Sequence, residues 1–303
     1  MTEGVLMLSH TLKAPAGGSL VDVCCVSWLS VGVCVAVAGE WEVCVWGQTN
    51  PPHWRRLHTW TFIESVMSVF PVPDAPGLLC VTLGQLEIRE ARVLCCSSLS
   101  QCCVRGRSRW WWACPTEGWF SSSYSVATTP LQVYTLTQDG RLHGCLSLVC
   151  PTERVRTVAA VEGQTDALIG STDTLCLRGY SLCGVLFVLL QHPSLCAVEE
   201  EEGGALFSLV ATNPLTGTVA LATRLGLPEA CTGRLLEVDV HGSSVVGVFR
   251  SGSVCVWQLG RRQGQEGAWF PELGCQLARW GVQGTVLTAH LNGDVCLHRY
   301  RPL

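Results

Sequence analysis

Charge is scarce in this sequence: charged residues make up 15% of the 303, and 20 Lys and Arg face 24 Asp and Glu for a net charge of −4. A nucleic-acid-binding face normally shows as a basic stripe. Here the densest basic spots are Arg105, Arg107, Arg109 and the pair Arg261-Arg262, so direct DNA binding is not expected. Catalytic motifs are also missing, with no GxSxG, HExxH, P-loop or GxGxxG, and the eight histidines are scattered along the chain. No enzyme activity, cofactor or metal is expected. No basic segment followed by a long apolar stretch opens the chain, which predicts an intracellular protein. C-x-x-C spacing is absent although there are 19 cysteines, which argues against zinc and redox motifs. No stretch has the period of a long amphipathic helix, which disfavours helical repeats and α/β folds.

What the chain has instead is apolar material, 48% of its residues, enough for a large packed core. Most cysteines stand where valine would, as in Val43-Cys44-Val45 and Val254-Cys255-Val256, and are read as reduced, small hydrophobic side chains. The adjacent pairs Cys24-Cys25, Cys95-Cys96 and Cys102-Cys103 should point to opposite faces of a strand. Two uncharged runs, 23–39 and 179–198, approach the length of a membrane span. Both are broken by Gly, Ser or Pro and lack flanking charge asymmetry, so buried strands are expected and no membrane partner. The run Trp110-Trp111-Trp112 is read as an irregular strand with alternate rings inward, and Glu199 to Glu202 as a solvated loop.

A repeat organises the chain. Short apolar strands beginning at Val43, Leu86, Leu131, Leu175, Leu206, Val254 and Val295 are spaced 43, 45, 44, 31, 48 and 41 residues apart. Most are preceded, across a tight turn, by a second apolar strand: Val33–Ala38, Leu78–Leu83, Val245–Phe249 and Val286–Leu291. A four-stranded propeller blade takes about 40–45 residues. The expected fold is therefore all-β, a seven-bladed WD-type β-propeller formed by residues 1–303 as one domain. The last blade lacks a fourth strand, and the N-terminal segment 5–12 is expected to supply it. His298 takes the place that Trp46 and Trp257 hold in sister blades, and is expected to be a packed strand residue. A pair of stacked β-sandwiches is the competing architecture.

Several segments resemble a known family. Leu57-His58-Thr59-Trp60-Thr61-Phe62, Phe70-Pro71-Val72-Pro73-Asp74, Leu86-Glu87-Ile88-Arg89-Glu90, Ala167-Leu168-Ile169-Gly170, Leu186-Phe187-Val188-Leu189 and Gly233-Arg234-Leu235-Leu236-Glu237 are similar, in this order, to the C-terminal propeller of the partner and localizer of the second breast-cancer susceptibility protein. That resemblance implies a nuclear scaffold of homologous-recombination repair that also meets the recombinase and its paralogues. It implies a groove between blades four and five that takes a helical peptide from the N-terminal region of the second breast-cancer susceptibility protein. The family's pocket residues match Ala167, Leu186, Pro214 and Thr216. The chain also departs from the family: a stretch of about two strands is expected to be missing near Arg178 to Tyr180, at the boundary of blades four and five. The alternative is a structural propeller of another intracellular complex. The N-terminal coiled coil expected of the full-length family is not in this sequence.

Overall fold

The computed structural model describes residues 5–13, 19–28, 31–50, 53–72, 75–86, 88–97 and 99, the strands between 101 and 241, and then 244–258, 268–271 and 274–301; the side chains of 49, 50, 102–234, 240 and 283 lie outside that description. After β1 (Val5–Lys13), the first sheet comprises β2 (Leu20–Trp28), β3 (Gly32–Gly39), β4 (Glu42–Asn50) and β5 (His53–Thr61). The second comprises β6 (Val66–Pro71), β7 (Leu78–Gly84), β8 (Ile88–Cys95) and β9 (Gln101–Ser108). A third holds β10 (Trp110–Cys114), β11 (Trp119–Ser123), β12 (Leu131–Leu136) and β13 (Leu142–Leu148). The fourth holds β14 (Val155–Ala160), β15 (Ala167–Thr172), β16 (Leu177–Ser181) and β17 (Val188–Leu190), and the fifth only β18 (Phe207–Thr212) and β19 (Val219–Leu225). The sixth holds β20 (Leu235–His241), β21 (Ser244–Phe249), β22 (Val254–Gln258) and β23 (Ala268–Phe270). In the last, β24 (Cys275–Trp280), β25 (Thr285–His290) and β26 (Asp294–Arg301) are joined by β1 on the far side of β26, from Val5↔Arg301 to Lys13↔Asp294.

Every strand pair is antiparallel, and the first strands β20, β24, β2 and β6 touch one another in that order. Apolar layers fill the space between the sixth and last, last and first, and first and second sheets. In β3, Cys34, Ala36 and Ala38 pack toward Leu79, Val81 and Leu83 of the second sheet. The alternate residues Val35 and Val37 pack toward Leu277, Leu287 and Leu297 of the last sheet. A strand buried on both faces reads as an unbroken apolar run, which is why 23–39 resembles a membrane span by composition. Among the described residues no helix is long and apolar enough to cross a membrane. Cys24 packs into one layer and Cys25 into the other, as alternation requires. All ten described cysteines are free thiols. Burial pushes the Cys34 thiol up to about 11 and, as the largest of its causes, the Cys96 thiol up to about 12, which leaves them poor nucleophiles at neutral pH.

In the sixth and last sheets the tight turn between second and third strands is made by a glycine in the left-handed region, Gly252 at φ 82° and Gly293 at φ 84°, where a Cβ would be strained. Among the described residues one expected strand start differs, while Leu175 and Leu206 lie outside them. Leu86 is 96% exposed in the turn after β7, and the next strand begins at Ile88. Gln85-Leu86 extends the turn, so the marker residue of the repeat falls outside the pairing. β16 runs through Arg178, Gly179 and Tyr180, and β17 pairs with it as the outer strand of the fourth sheet. The described strands of the fifth sheet number two.

Candidate functional site

The most developed polar arrangement lies on the first strands, where the sheets meet. Each of β2, β20 and β24 carries a register shift near its start, at Leu20/Asp22, Leu235/Glu237 and Cys275/Leu277. The bulge re-aims the residues beyond it. Asp22 then accepts hydrogen bonds from Val23 N at 2.9 Å and, across to the second sheet, from Val69 N at 3.0 Å. Asp239 does the same for the last sheet, accepting from Trp280 N at 2.6 Å. Arg279 lies between them, hydrogen-bonded to Glu237 and 3.7 Å from Asp22 Oδ1. One guanidinium thus links the sixth, last and first sheets, and Asp22 extends the link to the second. Burial pushes the Asp22 carboxyl up to about 6, against the opposing pull of Arg279 and its two backbone donors. Burial works against the charge of Arg279, but Asp22, Glu237 and Asp239 outweigh it and raise its pKa. With their oxygens engaged between sheets, these groups tie blades together.

A second polar group interrupts the apolar layer on the face of the last sheet that meets the sixth. His290, Cys296 and His298 place their donor atoms within 4.8 Å of one another. The hydroxyl of Thr288 lies 2.9 Å from Nε2 of His290 and 2.9 Å from Nε2 of His298. A hydroxyl donates one proton and accepts through its lone pairs, so it serves both rings when one of them donates. This fits a hydrogen-bonded strut across β25 and β26. His298 is buried at 3% exposure and is a packed strand residue. A cleft of about 490 Å³ opens where β1 passes the first sheet, lined by Met7, Leu8, His10, Trp54, Thr285 and Arg299 among others.

The residues expected to form the peptide groove stand apart from these features. Ala167 opens β15 and pairs with Ser181 of β16. Leu186, Pro214 and Thr216 lie outside the described residues. The Trp110-Trp111-Trp112 run forms β10, paired with Ser123, Ser122 and Ser121 of β11, and its side chains lie outside the description. Sequence reasoning passed over Asp22, Glu237, Asp239 and Arg279. A signal was available: Leu20-Val21-Asp22-Val23 and Leu235-Leu236-Glu237-Val238 repeat an acid two residues after a leucine, at equivalent points of the first and sixth sheets.

Antiparallel sheets stacked through apolar layers, with the first strands of the sixth, last, first and second sheets in a common inner row, define a β-propeller. A solved chain described as "Crystal Structure of Mitotic Checkpoint Complex" matches at TM-score 0.60 over 96% of this chain and 94% of that one; at 14% identity the likeness speaks for the fold alone. The family model "Partner and localizer of BRCA2 WD40 domain" matches residues 1–175 and 172–299, and the chain belongs to that family. It is 31% identical to "Partner and localizer of BRCA2" of Mus musculus over 340 positions, covering 99% of this chain and 30% of the relative. Against the Homo sapiens protein of the same name it is 31% identical over 341 positions, covering 99% of this chain and 28% of the relative. The chain thus spans less than a third of the length of these curated relatives. An alignment of 340 positions against 303 residues leaves at least 37 positions of the mouse alignment without a counterpart here. The two pieces of the family match meet at residues 172–175, just before β16.

Proposed function

We propose that the chain is a non-enzymatic interaction scaffold of homologous-recombination repair, acting in the nucleus. Residues 1–303 form a single seven-bladed propeller closed by β1. It grips a helical segment from the N-terminal region of BRCA2 in a groove between blades four and five, and helps bring the recombinase and its paralogues to the break. The observation that carries this reading is the 31% identity across 99% of the chain to proteins named for that partnership. Ala167, Leu186, Pro214 and Thr216 are the groove residues: a small Ala admits a helix, and Leu and Pro give an apolar slot for its aromatic anchors. The scarcity of basic residues supports protein rather than DNA as the direct ligand.

The test is fluorescence anisotropy with a labelled peptide from the N-terminal region of BRCA2 that contains its aromatic motif. Saturable binding is expected, and Ala167→Arg should weaken it by at least about tenfold through steric block. Absence of binding by a folded protein would show that the groove is not carried over. The at least 37 unmatched positions of the mouse alignment favour a second reading: a propeller that keeps the family scaffold and serves another intracellular complex. Immunoprecipitation after DNA damage separates the two, since recovery of vesicle-coat or ubiquitin-ligase partners without recombination factors supports the second.

A further inference from the structure

In an antiparallel four-stranded blade, the turn between the second and third strands and the connection to the next blade lie at the same end. On the first and second sheets that end carries three large apolar side chains: Trp41 at 45% exposure, Ile63 at 92% and Leu86 at 96%. They sit on backbone that is clamped together. Phe62 N donates to Trp41 O at 2.8 Å, Val66 N to Glu40 O at 2.7 Å, and Gly84 N to Ser65 O at 2.9 Å. The Ser65 hydroxyl also donates to Gly84 O. The turn at 40–42, the connection at 62–66 and the turn at 84–86 therefore form one hydrogen-bonded platform, and little ordering entropy remains to oppose binding.

The charges around the platform have one dominant sign. Glu40 and Glu42 flank Trp41 in sequence, and Glu64 follows Ile63. The nearby cations are engaged: Arg89 by Glu64 at 3.4 Å, and Arg92 by Glu90 and over the Phe62 ring, 5.4 Å from its centroid. An exposed indole with an acid on either side of it in the sequence suits a guanidinium or ammonium, which the ring face and the local negative charge both favour. Exposed apolar side chains on ordered turns suit the aliphatic anchors of an amphipathic segment.

We infer that this end of the first and second blades docks a basic amphipathic segment of a partner protein. One Arg or Lys stacks on Trp41 between Glu40 and Glu42, and apolar side chains cover Ile63 and Leu86. The surface is separate from the proposed BRCA2 groove and does not depend on it.

The test uses the full chain and a fluorescein-labelled helical peptide with leucines at i and i+4 beside arginines. A control peptide carries glutamate at each arginine. The basic probe should bind saturably and more weakly as salt rises, and the acidic control at least about tenfold more weakly. Trp41→Ala, and separately the pair Ile63→Ser with Leu86→Ser, should each lower affinity about tenfold while the thermal midpoint stays in place. No binding, equal binding of the two probes, or binding indifferent to all three substitutions overturns the inference. A concentration-dependent dimer in sedimentation that the same substitutions dissolve also overturns it, because the occupant is then a second copy of the chain. An unlabelled BRCA2 peptide should not displace the probe, and failure of that peptide to bind leaves this inference standing.

Discussion

At Asp22 burial and hydrogen bonding act against each other. Burial favours the neutral acid, while Arg279 and the amides of Val69 and Val23 favour the carboxylate, and the balance puts the group at about 6. Its ordinary value is 3.8, so folding favours the protonated form. That contribution is complete below about pH 4 and is lost as the pH rises through 6. The stability of the protein relative to Asp22→Asn should therefore fall across this window, by roughly 3 kcal/mol at most. Denaturant midpoints of both proteins between pH 4 and 7 measure it, and a difference that stays constant would show that Asp22 keeps ordinary acidity. In the sequence Asp22 stands at the edge of an apolar run, and its one clue is the matching placement of Glu237 after Leu235. Its role depends on a bulge at Leu20/Asp22 that turns it toward the next sheet, and no local pattern announces a bulge.

The strands themselves were far more legible. β3, β7, β21 and β25 match the apolar strands expected beside the turns, because burial on two faces imposes a continuous hydrophobic run. Leu86 failed for the converse reason: an apolar residue in a turn is locally indistinguishable from the first residue of a strand, and only pairing separates them. Alternation within β3 also sets an asymmetry of size. Small residues, Cys34, Ala36 and Ala38, face Leu79, Val81 and Leu83, so there is no room for added methylenes on that side. Ala36→Leu should lower stability by about 1–3 kcal/mol, read as a shift of the denaturant midpoint. An unchanged midpoint would mean that the two sheets do not interlock there.

At the scale of the whole molecule, the period of the repeat was readable and the binding site was not. Blade spacing is a property of the chain, whereas a groove is made by residues distant in sequence; Ala167, Leu186, Pro214 and Thr216 were reached through family resemblance. The four sheets packed around Arg279 share layers, and their second strands are hydrogen-bonded on both edges and covered on both faces. Native-state hydrogen exchange should therefore be slowest in β3, β7, β21 and β25, and much faster along the outer edge of β1. Equal rates in these strands would contradict the shared layers.

The pairing of Val5 with Arg301 has a consequence in time. At a synthesis rate of about 5–20 residues per second, β1 leaves the ribosome roughly 15–60 s before its partner strand β26 exists. Throughout that interval the nascent chain carries Leu12 without its layer and an unpaired strand that will accept any suitable edge. Maturation of this domain is thus set by the arrival of its last strand, and a chaperone that shields Val5–Lys13 would act at the step where the β1–β26 closure is most easily lost.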